Sequence, residues 1–520
     1  MPETPPRHRP RRRPPRPRPS APRCPGAPAD LDRRILSLAL PALGALVAEP
    51  LFVLIDSAMV GHLGAVSLAG LSLASTVLTT AVGLFVFLAY ATTASTARLF
   101  GAGDRRGGLR AGVDGAWLAA LIGLVAGCLL LVLAPWLVHV LGARGDVASA
   151  SVAYLRASAP GLPGMLIVYA TTGTLRGLLD TRTPFVVATG GALLNVVVNA
   201  VLLYGVGMGV AGSGLGTAIA QTAMAVALTA PVVRAARAEG VGLAPHRDGL
   251  SASLGAGTPL LVRTLSLRVA ILTTVWAATA LGAVPLAAHQ VVNSLWSFAA
   301  FALDALAIAA QALIGTALGQ ADAAHAADNA HAADDAAGPG AVARSGGEGT
   351  GATGATGATA TTVGTTDVPR APTTPGSVEA PLPIDVVLRR CLTWGVGTGA
   401  AIGVLLAVLS PWLPRVFSSD PAVTSLATPA LVVVATAMPL AGAVYLFDGV
   451  LMGAGDGRYL AWAGLANLVP YVPLAVAVGH GWPVDGPHGL LWLWGAFAWV
   501  FMGARCLTTG LRARTDAWRH

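Results

Sequence analysis

Five ionisable side chains lie inside long apolar stretches of this sequence, and their types suggest chemistry. They are Glu49, Asp56, Arg268, Asp304 and Asp448. A charge at the centre of a membrane helix costs about 2.5–3.5 kcal/mol on insertion scales, so residues of this kind usually bind an ion or a substrate. A carboxylate shielded from water can take up and release a proton or hold a cation. All five are therefore candidate functional residues.

Asp56 is the principal candidate for ion coupling. Glu49 precedes it by seven residues, or two helical turns, so the two carboxylates share one face of a helix. We expect both to face the interior of a helix bundle. Each also has a structural interpretation: Asp56 as a cap near the outer end of its helix, and Glu49 as a partner for backbone groups that Pro50 frees.

Three uncharged polar residues and one proline are predicted to accompany Asp56. Asn195 and Asn199 stand at positions i and i+4 of one apolar segment and so share a helix face, and Thr217 lies on the next segment. Amides in a membrane bundle either bind ligands or hydrogen-bond neighbouring helices. Pro41 removes one backbone hydrogen bond within the first segment and is expected to bend that helix, either statically or so as to move Asp56.

The second half of the chain has its own charged and polar residues. Arg268 and Asp304 fall near the middle of consecutive segments and are predicted to form a buried ion pair, which often only fixes helix packing. Asp448 lies late in a third segment, where a functional and a structural role are both open. Four polar residues share the segment of Asp304: His289, Gln290, Asn293 and Gln311.

Composition shows which elements must position these residues. Hydrophobic residues make up 54% of the 520 positions and charged residues 11%, against about 25% charged in soluble domains. About 20 apolar residues span a bilayer as a helix. The sequence predicts an all-α membrane protein with twelve spans, at residues 35–60, 68–96, 114–138, 152–176, 185–206, 210–233, 254–281, 286–316, 387–413, 425–452, 458–479 and 487–510.

The basic residues indicate topology. The net charge of +8 comes from arginines in the tails and in alternate short loops, a distribution typical of membrane topology and not of nucleic-acid binding. These loop arginines are Arg98, Arg105, Arg106, Arg110, Arg176, Arg182, Arg234, Arg237 and Arg247. The positive-inside rule then predicts a multi-pass protein of the cytoplasmic (inner) membrane with both termini in the cytoplasm.

An internal repeat divides the spans into two groups of six. LGAVSLAG at Leu63 matches LGAVPLAA at Leu281, an offset of 218 that also pairs Gly101 with Gly319. Later matches, such as PWL at Pro135 with PWL at Pro411, have an offset of 276. The 58 additional residues fall in a Gly-, Ala- and Thr-rich run. Six spans is an even number, so the halves form a parallel repeat, with a substrate path between them.

These boundaries predict five regions. They are a disordered Arg- and Pro-rich cytoplasmic tail (1–30), a first lobe (31–240), a second lobe (250–322 and 384–512), a low-complexity cytoplasmic insertion (323–383) and a carboxy-terminal tail (513–520).

Enzymatic motifs are missing from the sequence. It has no phosphate-binding GxxxxGK[ST] loop and no HExxH, and its four cysteines lack metal-ligand spacing. The chain also contains no lysine, which excludes hydrolysis of ATP by a Walker-type site within it. We therefore predict no enzyme, no resident metal or cofactor, and transport driven by an ion gradient.

Several motifs together resemble the multidrug and toxic compound extrusion (MATE) family, in particular its DinF-like branch. They include LALPALGALVAEPLFVLIDSAMVGHLGAVSLAG at the first span, LRGLLDTRTP after the fourth, LLNVVVNAVLLYG in the fifth, GSGLGTAIAQ in the sixth, LAAHQVV in the eighth and FDGVLMGAGDGR in the tenth. The likeness covers nearly everything from Arg33 to Arg512.

The resemblance implies a V-shaped bundle of two six-helix lobes that exports organic, often cationic or amphipathic, compounds in exchange for H⁺ or Na⁺. Asp56 matches the family's first-span coupling aspartate, Pro41 its helix-bending proline, and Asn195 and Thr217 polar residues of the same cavity. Asn199 stands where several relatives carry a second aspartate, so this site is less acidic, unless Glu49 substitutes.

Two classes of transporter remain at this point. One is a drug or metabolite antiporter, whose partners are a small-molecule substrate and the lipid bilayer, with no obligate protein partner. The other is a lipid-linked saccharide flippase of similar two-lobe plan. A flippase needs a strongly cationic cavity for pyrophosphate, and the mostly acidic charges within the spans favour the antiporter.

Overall fold

The chain is almost entirely helical in the residues that the structure, a computed structural model, describes: 28–337 and 383–519. The first lobe consists of α1 (Pro28–Gly61), α2 (Ala65–Leu84), α3 (Phe87–Gly101), α4 (Arg105–Val140), α5 (Gly145–Ser158), α6 (Leu162–Gly177), α7 (Arg182–Ala200) and α8 (Val210–Ala238). The second lobe consists of α9 (Arg247–Ala280), α10 (Ala283–Ala337), α11 (Ile384–Leu409), α12 (Leu413–Phe417), α13 (Pro421–Gly453), α14 (Gly457–Gly479), α15 (Gly489–Gly495) and α16 (Met502–Arg514).

Eleven segments within the described residues are long and apolar enough to cross a bilayer. This is a multi-pass membrane protein. The predicted fourth span, 152–176, differs from an uninterrupted helix because α5 and α6 are joined by a 3₁₀ turn at Ala159–Gly161. Pro160 in this turn and Pro163 just after it have no backbone N–H to donate, which accounts for the break. Helices α5 and α6 connect α4 to α7, and neither of them is among these eleven segments.

The helix ends also differ from those predicted. α1 begins at Pro28 instead of residue 35, and α10 continues to Ala337, well into the predicted insertion. At 1.5 Å per residue, α10 is about 82 Å long, nearly twice the thickness of a bilayer with its head groups. The rest of the predicted insertion and the first 27 residues of the predicted tail lie outside the described residues.

The two lobes are joined at the end of the bundle that carries the arginine-rich loops. Arg98 Nε of α3 lies 2.7 Å from Asp322 Oδ2 of α10. Asp32 of α1 accepts hydrogen bonds from Arg390 Nε, at 2.5 Å, and from Trp394 Nε1, at 2.8 Å, both on α11. These contacts close one end of the junction between the lobes.

Close backbone packing reinforces this closed end. A Cβ added to Gly319 of α10 would lie 1.9 Å from the Arg98 carbonyl oxygen, and one added to Gly101 of α3 would lie 2.1 Å from that of Thr316. Gly101 and Gly319 are the equivalent residues that the offset of 218 pairs. The repeat thus places two glycines at the contact between the lobes, where only glycine allows this approach.

Gly319→Val is expected to lower the free energy of unfolding by about 2–3 kcal/mol, because α3 and α10 must separate to admit the side chain. Thermal unfolding of the purified protein in detergent measures this. Gly397→Val on α11 is the control, since a Cβ there meets no atom within 4 Å. Equal melting temperatures for the two variants would contradict the close packing.

Candidate functional site

A buried polar cluster lies where α1, α7 and α8 meet in the first lobe. Asp56 is only 3% exposed. Its Oδ1 accepts a hydrogen bond of 2.8 Å from Asn199 Nδ2 and one of 2.5 Å from Ser213 Oγ. Asn199 Nδ2 also donates to Asn195 Oδ1, at 3.1 Å. Asp56, Asn195 and Asn199, which the sequence analysis grouped together, are therefore in one hydrogen-bonded set.

Local structure explains how the cluster is assembled. Asn195 and Asn199 share the inner face of α7, which is followed by a π-helical turn at Val201–Gly205. Such turns are frequent at functional sites because they shift the helix register. On α8, Gly216 leaves room for the Asn199 amide, since a Cβ there would lie 1.9 Å from Asn199 Oδ1.

The sequence analysis missed Ser213. It precedes Thr217 by four residues and so lies on the same face of α8, and that spacing is the signal that could have identified it. Serine is common in membrane helices at plain interhelical contacts, which makes the residue type alone a weak indicator.

On the sequence-based prediction that Asp56 couples transport to an ion gradient, Ser213→Ala is expected to slow that transport about threefold to tenfold. The reason is that a buried carboxylate loses one of its two hydrogen bonds, worth about 1.5 kcal/mol to a charged group. Initial rates in proteoliposomes measure this. Ser294→Ala is the control, because among the residues that the structure describes the Ser294 hydroxyl donates only within its own helix, to the Gln290 carbonyl. Equal rates for both variants would show that Ser213 does not act through Asp56.

Asp56 also lines a cavity of about 190 Å³ inside the first lobe. The walls come from α1, α2, α5, α6, α7 and α8 and are mainly apolar, with Phe52, Leu78 and Met224 among them. Thr217 lies in this wall, as the sequence analysis expected of a residue near Asp56. Within the described residues, the cluster thus has direct access, through Asp56, to a partly open space large enough for ions and small molecules.

Arg176 lines the same cavity. The sequence analysis had placed this residue in a loop, and the structure corrects that prediction. The side chain is in the last turn of α6 and is 8% exposed. It interacts electrostatically with Asp304 of the second lobe. The loop assignment was wrong because α6 continues to Gly177, so Arg176 remains inside the bundle.

The predicted ion pair between Arg268 and Asp304 is also wrong. The charges that act on Asp304 are those of Arg176 and Arg263, and the Arg268 guanidinium instead lies against Gly83 of α2. The reason is helical geometry: Arg263 and Arg268 are five residues apart on α9 and therefore point in directions about 140° apart.

Asp448 forms a charge cluster that was only partly expected. Its Oδ2 lies 2.6 Å from Arg263 Nη2 and also accepts a hydrogen bond from Arg505 Nη2. The Arg505 guanidinium in turn lies over the Phe501 and Tyr445 rings. Neither arginine was singled out from the sequence. Arg505 follows the π-helical turn Ala496–Phe501. A π-helical turn, Val201–Gly205, also lies next to Asn199 in the first lobe.

The other predicted polar residues of the second lobe do not join this cluster. His289 is buried and stacks on Trp494, with 5.3 Å between the ring centroids. Gln290 is exposed and Asn293 half-buried, while Gln311 Nε2 donates to the Tyr90 carbonyl at 2.8 Å. Pro41 lies within α1, which continues through it. The Glu49 side chain lies outside the described residues, so its role stays a prediction.

Comparison with known proteins agrees with this architecture. The family model described as MatE matches residues 41–201 and 381–476. The chain carries a MatE domain.

Three relatives match different lengths of this chain. Protein DETOXIFICATION 44 (chloroplastic) of Arabidopsis thaliana is 30% identical over 55% of this chain and 57% of that protein. DNA damage-inducible protein F of Escherichia coli is 27% identical over 56% of this chain and 64% of that protein. In both cases the match spans less than two thirds of the relative. Protein DETOXIFICATION 43 of Arabidopsis thaliana is 23% identical over 94% of this chain and 91% of that protein.

Solved structures of MATE transporters share the fold. The bent form of the Vibrio cholerae MATE transporter VcmN superposes with a TM-score of 0.73 at 18% identity, over 94% of this chain and 99% of that one. A MOP superfamily transporter from Pyrococcus furiosus also gives 0.73 at 18% identity, over 94% and 97%. The MatE domain of this chain therefore has the V-shaped two-lobe fold of MATE transporters, as the sequence analysis expected.

Proposed function

We propose that this protein exports small organic compounds across the cytoplasmic membrane by antiport with H⁺ or Na⁺. The observation that carries the proposal is the position of Asp56, a buried carboxylate that both belongs to a hydrogen-bonded cluster and lines a cavity. Uptake of the coupling ion at Asp56 would change the charge of the cavity wall and hence its affinity for the exported compound. No resident cofactor is needed for this cycle.

The closed end of the bundle supports the direction of transport. The arginine-rich loops lie at the same end as the Arg98–Asp322 and Asp32–Arg390 pairs, and the positive-inside rule assigns that end to the cytoplasm. On this assignment the two lobes are closed toward the cytoplasm, and alternating access requires those pairs to separate.

A lipid-linked saccharide flippase is not favoured. Recognition of a pyrophosphate requires several cationic side chains around one cavity. In the described residues, Arg176 is the single arginine in the wall of the first-lobe cavity.

The proposal is tested with proteoliposomes that contain the full chain. Export of one cationic and one anionic fluorescent dye is followed after imposing a pH gradient and, separately, a Na⁺ gradient. We expect one of the gradients to accelerate export of at least one dye severalfold over protein-free vesicles. If neither gradient accelerates either dye, antiport is rejected.

A further inference from the structure

The cavity of the first lobe has opposite charges at its two ends. Asp56 accepts a hydrogen bond from Asn199 on α7. Pro184 is the first residue of α7 in the cavity wall, and it precedes Asn199 by fifteen residues. That separation corresponds to about 22 Å of helix rise. Arg176 ends α6 and Pro184 lies in the first turn of α7, so both belong to the end of the bundle remote from Asp56.

Arg176 has no side-chain hydrogen bond or ion pair within 4 Å in the part of the chain that the structure describes, yet it is more than nine-tenths buried. Guanidinium groups in such surroundings are normally paired, because an unpaired buried charge is costly. Arg176 lines the cavity, so a ligand bound there lies next to its side chain.

The surrounding charges leave this guanidinium incompletely neutralised. In the described residues three arginines, Arg176, Arg263 and Arg505, interact with two carboxylates, Asp304 and Asp448. Arg263 and Arg505 both bind Asp448, and Asp304 is shared electrostatically by Arg176 and Arg263. Within this group of five described residues the arginines outnumber the carboxylates by one, and Asp56 lies at the other end of the cavity. A negative charge bound beside Arg176 can therefore balance the local charge.

We infer that the compounds bound in this cavity carry an anionic head group, a carboxylate or sulfonate, that binds Arg176, and an apolar body that lies along the wall toward Asp56. Arginine suits such head groups because its planar guanidinium donates two parallel hydrogen bonds to them. Leu78, Val168 and Met224 supply the apolar wall. The inference rests on the proposed export function and assigns it a substrate class, amphipathic organic anions.

Equilibrium binding to the full chain in lipid nanodiscs tests this inference without any ion gradient. The probes are naphthalene-2-sulfonate, its neutral isostere naphthalene-2-sulfonamide and the cation (naphthalen-2-ylmethyl)trimethylammonium, with empty nanodiscs for partition into lipid. We expect the sulfonate to bind at least tenfold more tightly than the sulfonamide, and the cation to bind no more tightly than the sulfonamide. Binding of the cation more tightly than the sulfonate would overturn the inference.

Variants identify the residue responsible. Arg176→Gln should reduce the tenfold preference for the sulfonate to less than twofold while leaving the sulfonamide affinity within twofold. Arg234→Gln is the matched control, because Arg234 is exposed on α8 and lies outside the cavity wall. It should keep the full preference. An unchanged preference in Arg176→Gln would overturn the assignment.

Arg176→Lys keeps the charge and provides a second variant if the glutamine variant does not fold. It should retain an intermediate preference, because lysine cannot donate the paired hydrogen bonds. A preference equal to that of the wild type would count against recognition by the guanidinium. Failure of the export function has a different outcome: anion binding would persist while neither gradient drives transport.

Discussion

Asp56→Asn is expected to reduce gradient-driven export at least tenfold, to the rate of protein-free vesicles, while the protein still folds and inserts. Asparagine has the shape of aspartate, and its side-chain oxygen can still accept hydrogen bonds from Ser213 and Asn199. It cannot gain or lose a proton or supply a negative charge to a cation. The initial rate of dye export under the effective gradient is the measurement.

Asp485→Asn is the control for Asp56→Asn, because Asp485 is an exposed carboxylate in the loop after α14. It should transport at the wild-type rate. Wild-type rates in Asp56→Asn, with an unaltered size-exclusion profile, would remove Asp56 from the mechanism. The two-lobe fold would be unaffected by that result.

Asp448→Asn is expected to lower the free energy of unfolding by about 3–5 kcal/mol, because Arg263 and Arg505 then lose the carboxylate that they share inside the second lobe. Asp448 and Arg505 are both buried. Thermal unfolding in detergent should show the lower stability directly. Asp328→Asn, at an exposed position of α10, should leave the melting temperature unchanged.

A double variant separates charge from packing at Asp448. Arg505→Met removes one of the unpaired cations while keeping a long side chain, so combining it with Asp448→Asn should recover part of the lost stability. A double variant that is less stable than Asp448→Asn alone would contradict the electrostatic explanation.

The membrane spans were predictable because each depends on local composition. Twelve apolar segments could be recognised from hydropathy, and two of them form helices that are broken: the second between Leu84 and Phe87, and the fourth at Ala159–Gly161. The continuation of α10 to Ala337 was missed because its last residues, AADNAHAADDAA, are polar and lack the hydropathy of a span. Alanine nevertheless has the highest helix propensity, which accounts for the continuation.

The candidate site was predictable where one helix alone determines the geometry. The i, i+4 spacing of Asn195 and Asn199 indicated one face, and both residues join Asp56. The pair Arg268 and Asp304 depended instead on how two helices are rotated and which helices are neighbours. α9 packs mainly against α14, so consecutive helices in the sequence are not the closest in space.

The length of α10 gives the second lobe a rigid lever. Fifteen residues follow Asp322, which marks the closed end, and they extend about 22 Å further along the axis. A rotation of that lobe by about 10° would sweep the tip of such a rod through about 4 Å. A spectroscopic label near Ala332 would therefore move further than the lobe itself in each half of the transport cycle. Its displacement could be recorded from the aqueous side.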